Sequence, residues 1–62
     1  MEEKFVKEIY PAAAIGVNTN SKWVIYSHMN KSIRKVIGHG DNPKQAWKDA
    51  KNYVQNELNL LR

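Results

Sequence analysis

Asp41-Asn42-Pro43-Lys44-Gln45 writes a helix start into the chain, and every other segment has to be arranged around it. Asn42 offers a side-chain oxygen to the first free N–H groups, proline takes the first helical position, where its missing N–H costs nothing, and a glutamine follows three residues after Asn42. The helix therefore begins at Pro43. At about 100° per residue, Ala46, Ala50, Val54 and Leu61 fall on one line, flanked by Trp47 and Leu58 on one side and by Tyr53 and Leu60 on the other. Lys44, Lys48, Lys51, Gln55 and Arg62 collect opposite them, so the helix is amphipathic with a lysine stripe. Two alanines beside one tryptophan suit a helix whose backbone lies close to a sheet. Glu57 interrupts the apolar arc; it either reaches the helix edge or meets a basic partner.

The remaining residues read mainly as strands. Lys22-Trp23-Val24-Ile25-Tyr26-Ser27-His28 is aromatic and β-branched, and it follows the turn cluster Asn18-Thr19-Asn20-Ser21. Ser32-Ile33-Arg34-Lys35-Val36-Ile37 comes next and ends at Gly38-His39-Gly40, whose glycines would let the chain turn from sheet to helix. A hairpin turning around Asn30-Lys31 would set Ile25 opposite Val36 on one face and Val24 opposite Ile37 on the other. A third run, Ala12-Ala13-Ala14-Ile15-Gly16-Val17, precedes the asparagine-rich turn. Residues 3 to 10 fit a helical turn (Phe5 and Ile9 with Val6 and Tyr10) or an alternating strand, and Pro11 ends either one.

The order strand, strand, strand, helix predicts an α+β fold: a three-stranded antiparallel meander with one C-terminal amphipathic helix packed on one face, β-β-β-α. At 62 residues this is a single domain, 1–62, with residues 1–11 a flexible or helical N-terminal arm. A composition of 42% hydrophobic and 26% charged residues argues against disorder. No cysteine is present, which removes disulfides, thiolate metal sites and cysteine nucleophiles. Without an apolar run long enough for a membrane span or an apolar leader, the expectation is a cytoplasmic protein with no membrane partner. One sheet face then has nothing in the chain to cover it. Homodimerisation through that face or a sheet edge is expected, with Trp23, Ile25, Tyr26 and Val36 as interface residues.

The net charge is +4, and it is concentrated in the middle of the chain. Lys22, Lys31, Arg34, Lys35, Lys44, Lys48 and Lys51 face only Asp41 and Asp49 in that stretch, so contact with nucleic-acid phosphates through these seven is a second expectation. No catalytic group can be assembled. Ser27 and His28 are adjacent on a strand, which would point them to opposite faces and prevent a nucleophile–base pair. His28, His39 and Asp41 lack a metal-ligand spacing, and Gly38-His39-Gly40 lacks a full phosphate-loop pattern. No cofactor, metal or small-molecule substrate is expected.

Ile15-Gly16-Val17, Lys22-Trp23-Val24-Ile25, Val36-Ile37-Gly38-His39-Gly40-Asp41 and Gln45-Ala46-Trp47-Lys48-Asp49-Ala50 together resemble the N-terminal domain of HicB-type antitoxins over about residues 12 to 56. Met29-Asn30 stands where that family usually has Pro-Gly between its second and third strands. The threonine of the family's helix entry has no counterpart in Asp41-Asn42-Pro43. The resemblance implies a trimmed ribonuclease-H-like or double-stranded-RNA-binding-domain-like sheet and helix that grips a toxin ribonuclease instead of catalysing. The functional expectation is accordingly a non-catalytic protein-interaction module.

Overall fold

The computed structural model describes residues 2–18 and 20–60. Leu61, assigned above to the buried helix face, Arg62 of the lysine stripe and Thr19 of the turn cluster lie outside the described residues. The elements run α1 (Glu2–Ile9), β1 (Ala14–Val17), β2 (Trp23–Tyr26), β3 (Val36–Gly40) and α2 (Pro43–Leu60). The three strands form an antiparallel meander in the order β1-β2-β3. The fold is thus α+β with the order α-β-β-β-α: the expected sheet and C-terminal helix, plus an N-terminal helix in place of an undecided arm.

The α2 start follows its local chemistry. Gln45 N–H donates to Asn42 Oδ1 at 2.9 Å, and Ala46 N–H donates to the Asn42 carbonyl at 3.0 Å, which makes Asn42 the cap and Pro43 the first helical residue. Ala46, Trp47, Ala50 and Val54 are the buried residues of α2. They meet Ile25, Ile37, Ala13 and Val6 in one hydrophobic cluster. Val6 is fully buried, so α1 lies on the same side of the sheet as α2 and packs against it. Two cations flank that helix pair: Lys7 Nζ stands 5.7 Å from the Trp47 ring centre, and Lys51 Nζ stands 5.8 Å from that of Phe5.

Gly38 and Gly40 are strand residues, not a turn, and neither has a positive φ. Their role is to admit α2. A Cβ on Gly38 would lie 2.6 Å from the Ala46 carbonyl oxygen and 2.6 Å from the Ala50 nitrogen. The helix backbone therefore rests directly on β3, as the small residues Ala46 and Ala50 suggest.

The β2–β3 register departs from the expected hairpin. Ile25 pairs with Gly38, Val24 with His39 and Tyr26 with Val36, with an irregularity between Ile25 and Tyr26. The cause is the connection. The Asn30 carbonyl accepts from the Ile33 and Arg34 N–H groups at 3.2 and 3.0 Å, while Asn30 Oδ1 accepts from Ser32 N–H at 2.9 Å. Residues 30–34 are thereby folded into a turn. Residues 32–35 consequently contribute no strand, and the faces are reassigned: Ile25 and Ile37 share the helix-covered core, while Val36 is 49% exposed.

Candidate interaction surface

One side of the sheet carries both helices. On the other, among the described residues, no element covers the strands. Alternation sets the membership of the open face: Ile15, Trp23 and Ile25 point toward the helices, so Gly16, Val24 and Tyr26 point away. Val36, paired with Tyr26, and His39, paired with Val24, complete it. Val24 is nearly buried there, in a groove lined also by Lys22, Tyr26, Val36 and His39. The Arg34 guanidinium lies 4.2 Å from the Tyr26 ring centre, covering one side of the aromatic. Lys22 pairs with Asp41 at the rim of the same groove. That contact holds the Asp41 carboxyl below its ordinary range, through the Lys22 hydrogen bond first and its charge second.

Two of the four expected interface residues are on this face and two are not. Tyr26 and Val36 are. Ile25 is fully buried beneath the helices, and Trp23 is half-buried on the helix side against the core. Ile25 therefore presents no surface, and Trp23 packs against the core with part of its side chain left open on the helix side. The shifted register accounts for the difference, because it pairs Ile25 with Gly38 and leaves Val36 on the opposite face.

The seven basic residues do not share one surface. Arg34 serves the open face, whereas the neighbouring Lys35 reaches back to α2, where its Nζ donates to Glu57 Oε2 at 3.3 Å and stands 5.3 Å from the Tyr53 ring centre. Lys51 covers Phe5 on the helix layer, and Lys22 is ion-paired. Lys31 lies in the exposed turn, and Lys44 and Lys48 are exposed along α2.

Glu57 settles the misfit in the apolar arc. Its Oε1 accepts from the Tyr10 hydroxyl at 2.6 Å while Oε2 takes Lys35, so one carboxylate ties together the end of α1, the approach to β3 and α2. The Tyr10 hydrogen bond is the main cause that holds the Glu57 carboxyl below its ordinary range, with Lys35 adding to it and burial opposing. Tyr10 is raised in turn, first by donating to Glu57. Lys35 is raised by Tyr53 and then by Glu57. The interruption of the apolar stripe was the sequence signal for this tie.

Ser27 and His28 correct another expectation. The strand ends at Tyr26, so alternation no longer separates them, and Ser27 Oγ lies 2.9 Å from His28 Nδ1. Ser27 also binds both main-chain groups of Lys35: Oγ accepts from Lys35 N–H at 3.2 Å, and Ser27 N–H donates to the Lys35 carbonyl at 2.9 Å. Ser27 is fully buried, and the His28 ring meets the Tyr10 ring edge-on at 5.8 Å. A hydroxyl closed off from solvent thus fastens the β2–β3 connection. Among the described residues, no group of three His, Asp or Glu side chains comes together to hold a metal ion. No described helix is long and apolar enough to cross a membrane.

Compared with known proteins, the chain matches no protein-family model, no curated protein and no solved structure.

Proposed function

We propose that this protein is a non-catalytic interaction module that associates through the part of its sheet that its own helices leave uncovered, in the first instance with a second copy of itself. One observation carries the reading: both helices lie on one side of a three-stranded sheet and leave uncovered its other face, with the 49%-exposed Val36, and its β1 edge, with Ile15 and Val17 38% and 56% exposed. A sheet with one bare apolar face or edge gains by covering it. The likeness to HicB-type antitoxins points the same way, because that family uses such a sheet and helix to grip another protein.

Sedimentation equilibrium from roughly 10 µM to 1 mM, a range that spans weak association, tests the reading. A weight-average mass rising from the monomer's 7.2 kDa toward twice that value is expected. A constant monomer mass throughout would refute self-association.

Binding of a nucleic acid is the second reading. It is favoured by Lys44 and Lys48, one turn apart on the exposed side of α2 and in no ion pair among the described residues. Anisotropy titrations of labelled duplex DNA and single-stranded RNA test it. Affinity that drops steeply with salt and is weakened by Lys44→Glu and Lys48→Glu would favour phosphate contact over self-association.

A further inference from the structure

We propose that the sheet edge at β1 is the self-association surface, and that two copies join β1 to β1 in antiparallel fashion about a two-fold axis at Gly16. The proposal rests on the reading of the protein as a self-associating module and names the place where it does so. Each strand residue turns its main-chain N–H and C=O to the same side, and that side alternates along the strand. Asn18 N–H donates to the Lys22 carbonyl at 2.9 Å, so Asn18 faces β2. Gly16 therefore faces β2 as well, while Ile15 and Val17 turn their polar main-chain groups outward. β1 is the edge of the sheet, so among the described residues no strand stands on the side to which those groups turn.

The other edge is already occupied. On β3 the outward N–H is that of His39, and it donates to Asp49 Oδ2 of α2 at 3.1 Å. A helix carboxylate standing over a strand edge obstructs an incoming strand. Among the described residues, no side chain hydrogen-bonds to the outward edge of β1 in this way.

Side chains and charge select a second copy as the occupant. Ile15 and Val17 point to the helix side but are 38% and 56% exposed, because the helices do not extend over β1. An antiparallel pair centred on Gly16 sets Ile15 against Val17 of the second copy, and Val17 against its Ile15. This satisfies all four outward groups of each strand and buries the exposed aliphatic side chains against one another. Residues 9 to 21 carry no charged side chain, the longest such stretch in a molecule of net charge +4. A strand pairing with its own copy brings identical residues close together, so contact between two cations is least opposed here. On the open face Gly16 meets Gly16, and the Tyr26 ring of each copy already lies against its own glycine, 3.1 Å from the point a Cβ would occupy.

Two measurements test this. Val17→Lys changes an exposed side chain on the proposed seam, and Val36→Lys changes one on the open face; circular dichroism establishes that each variant is folded. Sedimentation equilibrium is expected to show dimerisation weakened about tenfold or more by Val17→Lys, since cross-strand apolar pairs are lost twice over a two-fold, and unchanged by Val36→Lys. Amide exchange of the wild-type protein reads the same contact without mutation. The Ile15 and Val17 amides should slow as concentration rises, while the Gly16 amide, already turned toward β2, should not. Dimerisation abolished by Val36→Lys with Ile15 and Val17 exchange independent of concentration would overturn the edge proposal and leave self-association standing. A monomer at every concentration would overturn both.

Discussion

Replacing Gly38 with alanine adds one methyl group at the tightest place in the fold. The new Cβ would meet the Ala46 carbonyl oxygen and the Ala50 nitrogen at 2.6 Å and the Ala50 Cα at 2.8 Å. Comfortable contact begins near 3.5 Å, so α2 must lift by close to 1 Å. All three obstacles are helix backbone, and no side-chain rotation relieves them. Lifting α2 loosens Ala46, Ala50 and Val54 from Ile25 and Ile37, which form the centre of the core. Overpacking costs about 1–3 kcal/mol, and the rigid obstacle places this case at the upper end. Lower unfolded-state entropy returns about 0.4–1 kcal/mol, leaving a net loss of about 2–3 kcal/mol. For 62 residues the whole stability is of the order of 3–9 kcal/mol. The expected readout is a fall in Tm of about 10–20 °C, measured by circular dichroism and by the fluorescence of buried Trp47. Ala50→Gly in the same chain should give no rescue, because the clash is with backbone and not with the Ala50 methyl. A Gly38→Ala protein within about 0.5 kcal/mol of wild type, below the normal cost of a strained core, would refute the direct seating of α2 on β3.

Acid should loosen the tie at Glu57. Its carboxyl titrates below the ordinary value of 4.5, so the stabilisation is fully present above that value and is lost as pH falls through the lower folded value. Tyr10→Phe removes the main cause of the shift, costs about 1 kcal/mol at neutral pH and should flatten the acid limb; parallel stability–pH curves for the two proteins would contradict this. Ser21 holds a left-handed backbone at φ 62°. Ser21→Gly should therefore raise stability by about 0.5–1 kcal/mol in urea denaturation, and a loss would show that the hydroxyl matters more than the backbone.

The sequence makes α2 legible because its start is a local matter: Asn42, Pro43 and Gln45 satisfy the helix end without help from the rest of the chain. The strand order is likewise local, set by apolar runs between turn residues. The first helix is less legible. Glu2–Ile9 buries only Val6, and so short a helix forms because α2 receives it, which a local pattern cannot show. The face assignment misleads for a related reason. Ser32-Ile33-Arg34-Lys35 alternates like a strand, yet Asn30 captures three of the following N–H groups and converts the segment into a turn. That shift moves Ile25 off the candidate surface and keeps Val36 on it. The partnership of Ser27 with His28 stays hidden until the strand is known to stop at Tyr26. Glu57 was visible only as an anomaly, because its partners Tyr10 and Lys35 are distant in the chain.

Asp49 bears on more than the residue it touches. A sheet with two receptive edges behaves as a bifunctional monomer, and bifunctional monomers polymerise. With a carboxylate seated on His39 N–H, the proposed edge pairing would have a valence of one, and an assembly built that way would end at two copies. Asp49→Ala would raise the valence to two, and the material to watch for is then a growing fibre in place of a finite particle.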